Sequence, residues 1–354
     1  MNKRFFAAGL CLLLLLTGGT ALGESMTLSF IGDCSIGEMY EAKGIDRSYT
    51  ATVDKYGMDW PFSQVVDVLA ADDFTFANNE VVFTERSRRQ NKKFCLRAAG
   101  TYAQVYNHSG IDAVNVANNH ILDYLEAGYE DTLSALTAAG IPFFGTSKLD
   151  GDDLLDGLLI REVKGVRIGM LGYTYPLDGR VKMVTRRVAA LKASGQCDLI
   201  VVSLHWGTEE KTTPSYWQYD FAKAVIDAGA DVVWGHHPHV LQPVVFYEGK
   251  PIFFSTGNFT FGSMSDVDPD TGIFQLVYRV EEGQATLAQF QVIPCRTRGS
   301  GDYRPYMLTD EAEKRKMLCK LIARRQARGF ENLPDGFADT GVYVLTMENA
   351  GNAE

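Results

Sequence analysis

Five of the six histidines in this 354-residue chain fall in three short segments: Asn118-Asn119-His120, His205-Trp206-Gly207 and Gly235-His236-His237-Pro238-His239. Each segment follows a run with the composition of a β-strand. Imidazole is the commonest nitrogen ligand for transition metals. Two earlier segments, Gly32-Asp33 and Asn78-Asn79-Glu80, place carboxylates after similar runs. Open α/β sheets take their ligands at strand ends. Together the five segments describe a metal site assembled from five strand ends.

Taken singly, several of these residues have a plainer reading. Asp33 and Glu80 each fit an ordinary turn, and His205 after Ile200–Leu204 fits a satisfied core histidine. Asn118-Asn119-His120 says more, because two amides and an imidazole after a buried run are costly unless satisfied. The Asn119 oxygen can coordinate a metal, and His120 can act as an acid or a ligand. Asp123, three residues on, can hold that imidazole in one tautomer, although the same pattern also fits an Asx-turn before a helix. The most specific segment is Gly235–His239, with three imidazoles in four residues around a rigid proline. Residues two apart point the same way in extended chain. This makes His237 and His239 the ligand pair and turns His236 away or into support, with the His236 register left open. Ser255-Thr256-Gly257-Asn258 adds an amide at Asn258. Lys92-Lys93-Phe94-Cys95-Leu96-Arg97 adds positive charge, with Arg97 either clamping a phosphate or carboxylate or lying on a solvated basic face.

The elements that must carry these residues alternate in the first half. Strands are predicted at Thr27–Ile31, Phe74–Ala77, Ala113–Ala117 and Phe143–Gly145, with helices at Phe62–Ala70, Thr101–His108 and Leu125–Ala139 between them. Gly140 ends the last helix. Such alternation predicts a sheet with crossover helices. The second half turns to hairpins: Leu158–Val163 with Arg167–Tyr173, Val244–Tyr247 with Ile252–Ser255, and Phe274–Val280 with Ala285–Val292. Leu199–Leu204 is apolar throughout, as in a strand buried on both faces. Helices are expected at Pro214–Ala228 and Thr309–Gln326. With no Pro/Gly/Ser-rich linker, the reading is one domain of two sheets packed face to face with helices outside.

Residues 1–23 carry a positive start (Lys3, Arg4), an apolar run Phe5–Leu16 and a small-residue end Ala21-Leu22-Gly23. This is the layout of a secretory signal peptide, with an uncleaved membrane anchor as the alternative. The expected product is extracytoplasmic: secreted or at the cell surface. Without Lys3 and Arg4 it has 32 basic against 44 acidic residues. That balance argues against broad nucleic-acid binding, but bound metal would still admit an anionic substrate. Cys34, Cys95, Cys197, Cys295 and Cys319 contain no CxxC pair, so a thiolate zinc site is not expected and at most one disulfide is.

Read in order, the segments Gly32-Asp33, Asn79-Glu80, Phe94–Ala98, Ala117–His120 with Asp123, Ser203–Gly207, Gly235–Gln242 and Phe254–Phe261 resemble the CapA family of capsule and poly-γ-glutamate synthesis proteins. That family is related to calcineurin-like metallophosphoesterases. The resemblance covers roughly residues 27–261. It implies a four-layer α/β/β/α sandwich of two mixed sheets over residues 24–300, with residues 301–354 as a C-terminal helix and tail packed on the same domain. It also implies two divalent ions (Mn, Fe or Zn) held by Asp33, Glu80, Asn119, His205, His237 and His239. His120, supported by Asp123, would protonate a leaving oxygen, and Arg97, His236 and Asn258 are candidate substrate contacts. The implied role is hydrolysis of a phosphoester or cell-envelope polymer bond, working with the poly-γ-glutamate synthesis machinery. The alternative is a non-catalytic accessory that binds or exports the polymer. The chain departs from the metallophosphoesterase pattern in having Cys34-Ser35 after Asp33, Glu80 for the second Asp, and Ile121 after Asn-His. Within the CapA-like set, Glu38 stands where relatives often carry a basic residue and Leu125 where they often carry glycine.

Overall fold

The computed structural model describes residues 24–42, 44–146, 153–174, 177, 179–262 and 268–345. The predicted leader 1–23 and the final tail 346–354 lie outside the described residues.

Strand parity builds the layers. In Leu199–His205, Val201 faces one side while Ile200, Val202 and Leu204 face the other. In Val232–His236, Val232 and Trp234 take the first side and Val233 the second. Every residue of both strands is buried, which is why each reads as a continuous apolar run rather than an alternating one.

Among the described residues, nine strands form one mixed sheet and seven form another. The first runs Pro305–Met307, Gln284–Thr297, Asp270–Glu281, Glu24–Ser35, Phe74–Asn79, Ala113–Asn115, Phe143–Phe144, with Asn258–Phe261 also parallel to Glu24–Ser35 and Val342–Val344 antiparallel to Gln284–Thr297. The second runs Glu331–Asn332, Val244–Tyr247, Lys250–Phe253, Val232–His236, Leu199–His205, Val166–Thr174, Leu159–Val163. Between the sheets lies an aromatic core in which Phe30 stacks on Phe76 at 4.6 Å and meets Trp234 and Phe253 edge-on at 5.6 Å. Outside the first sheet pack helix Leu125–Ala139 and the 3-10 segment Gly100–His108. Outside the second pack Val181–Ser194 and Tyr216–Asp227. The result is the four-layer α/β/β/α sandwich. Met317, Leu318, Leu321, Phe337 and Tyr343 also belong to the inter-sheet core.

Several elements differ from the sequence reading. The helix expected at Phe62–Ala70 is a 3-10 turn, Trp60–Phe62, followed by one α-turn, Val66–Leu69. Thr101–His108 is likewise 3-10. The long C-terminal helix shortens to Glu311–Leu318 and a 3-10 turn. Helix Val181–Ser194 was not anticipated: it starts at Arg180, which makes no side-chain cap, and it lacks the starting signals that mark Tyr216–Asp227 with its Ser215–Gln218 capping box. The three predicted hairpins all form. Leu125 has φ +61°, in the left-handed region that glycine adopts freely. All five described cysteines are free thiols, and only Cys319 is exposed.

Candidate metal centre

The site forms where the strands of both sheets end. His205 shares the parity of Val201, and His236 that of Trp234, so both imidazoles point between the sheets. Asp33 ends Glu24–Ser35 from the other sheet, after a register irregularity between Phe30 and Asp33. Its amide donates to the Gly257 carbonyl at 2.9 Å. Gly32 permits that approach, since a Cβ there would lie 2.0 Å from the Gly257 oxygen.

Asp33 is enclosed. Its Oδ1 accepts from Asn78 Nδ2 at 2.8 Å and lies 3.0 Å from His236 Nδ1. Its Oδ2 lies 3.4 Å from His239 Nδ1 and from the His237 amide. Asn78 is itself anchored by Asn115 Nδ2 on its Oδ1 at 2.9 Å. His239 Nδ1 also meets Asn258 Oδ1 at 2.9 Å, a pairing that requires the Nδ1–H tautomer and turns Nε2 inward.

Glu80 is the focus. Its Oε1 is fully buried with no hydrogen-bond partner. Around it stand His205 Nε2 and His239 Nε2 at 3.7 Å and His120 Nε2 at 3.8 Å. Asn119 Oδ1 lies 3.0 Å from His205 Nε2. These imidazole distances are too long for hydrogen bonds. They are near the roughly 3–3.5 Å expected between neighbouring ligands each about 2.1 Å from one cation. Ligand atoms of Asp33, Glu80 and His205 all lie within 4.8 Å of one another, and so do those of Glu209, His237 and His239. The donor set, carboxylate, amide oxygen and imidazole, suits a borderline divalent ion. The residues present fit the group.

The electrostatics agree. Burial would raise the Asp33 carboxyl, but hydrogen bonds from His236 and His239 outweigh it and hold the group well below its usual range. Glu80 is driven well above the usual range by burial and by the Asp33 charge. Burial opposes a charge on His239, yet the charges of Glu80 and Asp33 outweigh it and push the imidazole up to about 10. Burial and the charge on His239 bring His237 down to about 4. Burial, then His237, lowers His205 well below its usual value. A buried carboxylate that resists ionising beside the neutral imidazoles of His205 and His237 is a site built for added positive charge.

His120 stands beside this cluster. Its Nδ1 lies 2.7 Å from Asp123 Oδ2, which also accepts from the Leu96 amide at 2.6 Å. Asp123 Oδ1 pairs with Lys92, whose Nζ also donates to the Asn119 carbonyl at 3.0 Å. Lys92 therefore fixes both the dyad carboxylate and the backbone of Asn119. Burial lowers the His120 pKa against the pull of Asp123, leaving Nε2 bare as a proton acceptor.

The structure thus brings together Asp33, Glu80, Asn119, His120, Asp123, His205, His236, His237, His239 and Asn258. His236 faces inward, fully buried behind Asp33, and Asn258 is committed to His239. Arg97 is engaged by other partners. Its guanidinium donates to the Arg86 carbonyl and lies 4.7 Å from the Tyr40 ring centre and 5.5 Å from that of Tyr124. Glu38 accepts from the Thr50 amide at 3.0 Å and the Thr50 hydroxyl at 2.6 Å, at the start of helix Tyr49–Tyr56. Sequence reasoning missed the bracing roles of Asn78 and Lys92. It also missed Glu209, although Glu209 lies only four residues beyond His205.

Residues 27–263 match the family model described as bacterial capsule synthesis protein PGA_cap. The capsule biosynthesis protein CapA of Bacillus anthracis is 30% identical over 318 residues, which is 84% of this chain and 73% of that protein. The PGA biosynthesis protein CapA of Bacillus subtilis (strain 168) is 29% identical over 253 residues, 67% of this chain and 64% of that one, so less than two thirds of its length is spanned. A Mycobacterium tuberculosis protein named probable polyglutamine synthesis accessory protein is 30% identical over 229 residues, 56% of this chain and 59% of its own. Among solved structures, the Thermus thermophilus sulfate thiohydrolase SoxB aligns at 13% identity with a TM-score of 0.43, covering 76% of this chain and 56% of its own. A purple acid phosphatase of yellow lupin aligns at 11% and 0.37, covering 80% and 53%. With a family model spanning well over half of its residues and a 30% identical relative along most of its length, the chain belongs to the bacterial capsule synthesis (PGA_cap) family.

Proposed function

We propose that this chain is an extracytoplasmic metal-dependent hydrolase of capsule or poly-γ-glutamate biosynthesis, acting on a phosphoester or related cell-envelope polymer bond. The observation that carries it is the buried, unpartnered Glu80 Oε1 ringed by three imidazole nitrogens. Asp33, Glu80, Asn119, His205, His237 and His239 would hold two divalent ions, and bound ions of this kind activate water and offset charge on an anionic substrate. Asp123 orients His120, Lys92 holds Asp123, and Nε2 of His120 is the atom at which a proton is exchanged with the leaving oxygen. An anion arriving beside it favours the protonated imidazole that a leaving group requires. The leader pattern at residues 1–23 supports the location. Among the described residues no helix is long and apolar enough to cross a membrane.

The test is purification of residues 24–354, metal analysis, and assay with Mn²⁺, Fe²⁺ or Zn²⁺ on a generic phosphodiester, envelope glycans and poly-γ-glutamate. Metal-dependent turnover that His120→Ala removes is expected. Absence of turnover on all three substrates would sink the hydrolase reading. The word accessory in a relative's name favours a second reading, a non-catalytic polymer-handling role. In that case a His120→Ala strain makes polymer normally while a deletion strain does not.

A further inference from the structure

We infer that Glu209 is a metal ligand, completing with His237 and His239 a cation position at the solvent-facing edge of the centre, while Asp33, Glu80 and His205 form the inner one. This deepens the metal-centre reading and rests on it.

A carboxylate oxygen of Glu209 and ring nitrogens of His237 and His239 lie within 4.8 Å of one another. Glu209 is exposed, whereas both imidazoles are buried. Its loop is fastened to the histidine loop at two points. The Glu210 amide donates to the Pro238 carbonyl at 2.8 Å, between the two ligating histidines in sequence, and Gln242 Nε2 donates to the Lys211 carbonyl at 2.7 Å. Gly207 at φ +89° and Glu210 at φ +61° turn the chain back over the site on either side of Glu209. An unconstrained surface glutamate on a chain of net charge −10 would gain by pointing away from the buried Asp33 and Glu80. Instead the loop presents its carboxylate towards them.

The placement also addresses a gap in the ligand set. Asp33 is followed by Cys34-Ser35, so no histidine arrives two residues after that aspartate. Cys34 is fully buried in the apolar layer among Ile31, Ile36 and Ala77, with its thiol towards the Gly32 carbonyl at 3.5 Å. It packs; it does not coordinate. Glu209 supplies a donor from another strand end, and as the exposed member it is the ligand that can swing aside to admit a substrate.

The experiment uses the full mature chain, stripped with chelator and then loaded with Mn²⁺ or Zn²⁺ alone. Metal content after dialysis and calorimetric affinity are read for wild type, E209Q and the neighbour control E210Q. Because Glu209 is exposed, E209Q should match the melting temperature of the metal-free wild type, which separates ligation from folding. The expected result is loss of one bound ion per chain, or an affinity weakened on the order of tenfold or more for the weaker site, in E209Q and not in E210Q. E209Q indistinguishable from a metal-binding wild type overturns the role of Glu209 alone. A wild type that takes up neither ion overturns the metal centre itself, and this inference with it.

Discussion

Replacing Glu80 with glutamine should make the metal-free protein more stable and at the same time abolish its response to metal. Glu80 is fully buried, and its Oε1 has no hydrogen-bond partner. Burial and the Asp33 charge raise its pKa well above the ordinary 4.5, even though the His239 cation opposes them. A carboxyl with a raised native pKa holds its proton more tightly folded than unfolded. Stability is therefore lost as pH climbs past the unfolded value and on towards the native one. Glutamine keeps the shape and removes that cost, which for an unsatisfied buried group is about 1–3 kcal/mol. Metal-free E80Q and wild type should unfold alike near pH 4.5, with E80Q pulling ahead by neutrality. Added metal at a hundredfold excess over its Kd stabilises wild type by about 2.7 kcal/mol, a rise in Tm of roughly 5 °C. E80Q should show little of it. Tryptophan-fluorescence melts with and without chelator, from pH 4.5 to 8, read both effects. Metal-free E80Q that is less stable than metal-free wild type at pH 7.5, or that keeps the full metal-induced rise, refutes the reasoning.

Asp123→Asn should keep metal content near wild type while slowing any turnover by about 10²–10⁴-fold, since Asp123 orients His120 and Lys92 retains its own bond to the Asn119 carbonyl; metal analysis beside rate measurement checks it. Gly32→Ala should cost about 3 kcal/mol or more in urea unfolding, because its Cβ would meet the Gly257 oxygen at 2.0 Å and both partners are backbone. Far from the site, burial and the neighbouring Asp112 and Asp73 charges raise Asp72 to about 7, against hydrogen bonds from Ser29 and Thr75. A raised pKa means this group's cost is absent below about 3.8 and grows as pH rises to about 7, at up to about 1.4 kcal/mol per pH unit. Asp72→Asn should flatten that part of the stability–pH curve, and an unchanged slope between pH 4 and 7 would count against the assignment.

What the sequence made legible follows from how local each signal is. The parallel strands and the hairpins carry their own punctuation, Gly140 after one helix and Lys164-Gly165 within one hairpin. Asp33, Glu80, His120 and His205 were visible because a polar group directly after an apolar run has few places to go but the sheet edge. Helix Val181–Ser194 was not, since its buried Val184, Val188 and Leu191 sit among lysines and arginines with no cap to mark the start. In sequence alone His236 stays open between facing away and supporting the pair His237 and His239; the alternation of strand Val232–His236 puts it on the inward face of Trp234, against Asp33. Asn78 meets Asp33 and Asn115 as register partners across neighbouring strands, and Lys92 and Glu209 approach the site from loops; neither kind of contact between distant segments has a period in sequence.

The centre also bears on how the two sheets are held together. Asp33, Glu80 and Asn119 come from the first sheet and its connections, while His205, His237 and His239 come from the second. Any cation held by both groups cross-links the sheets where their strands end, above the core they share. Two of the candidate ligands are strained as well: His237 has φ +93° and His239 φ +59°. Conformations of that kind cost on the order of 1–3 kcal/mol each and persist only where the surroundings over-determine them. Here the restraint comes from Asp33 on the His237 amide, Asn258 on the His239 ring, and Pro238 between them. Both left-handed residues flank Pro238, so the backbone turns tightly just where the two imidazoles face the site. A metal-free chain keeps that strain along with the cost of burying Glu80 beside Asp33, so the strand ends are where it should open first and where added metal should slow amide exchange most.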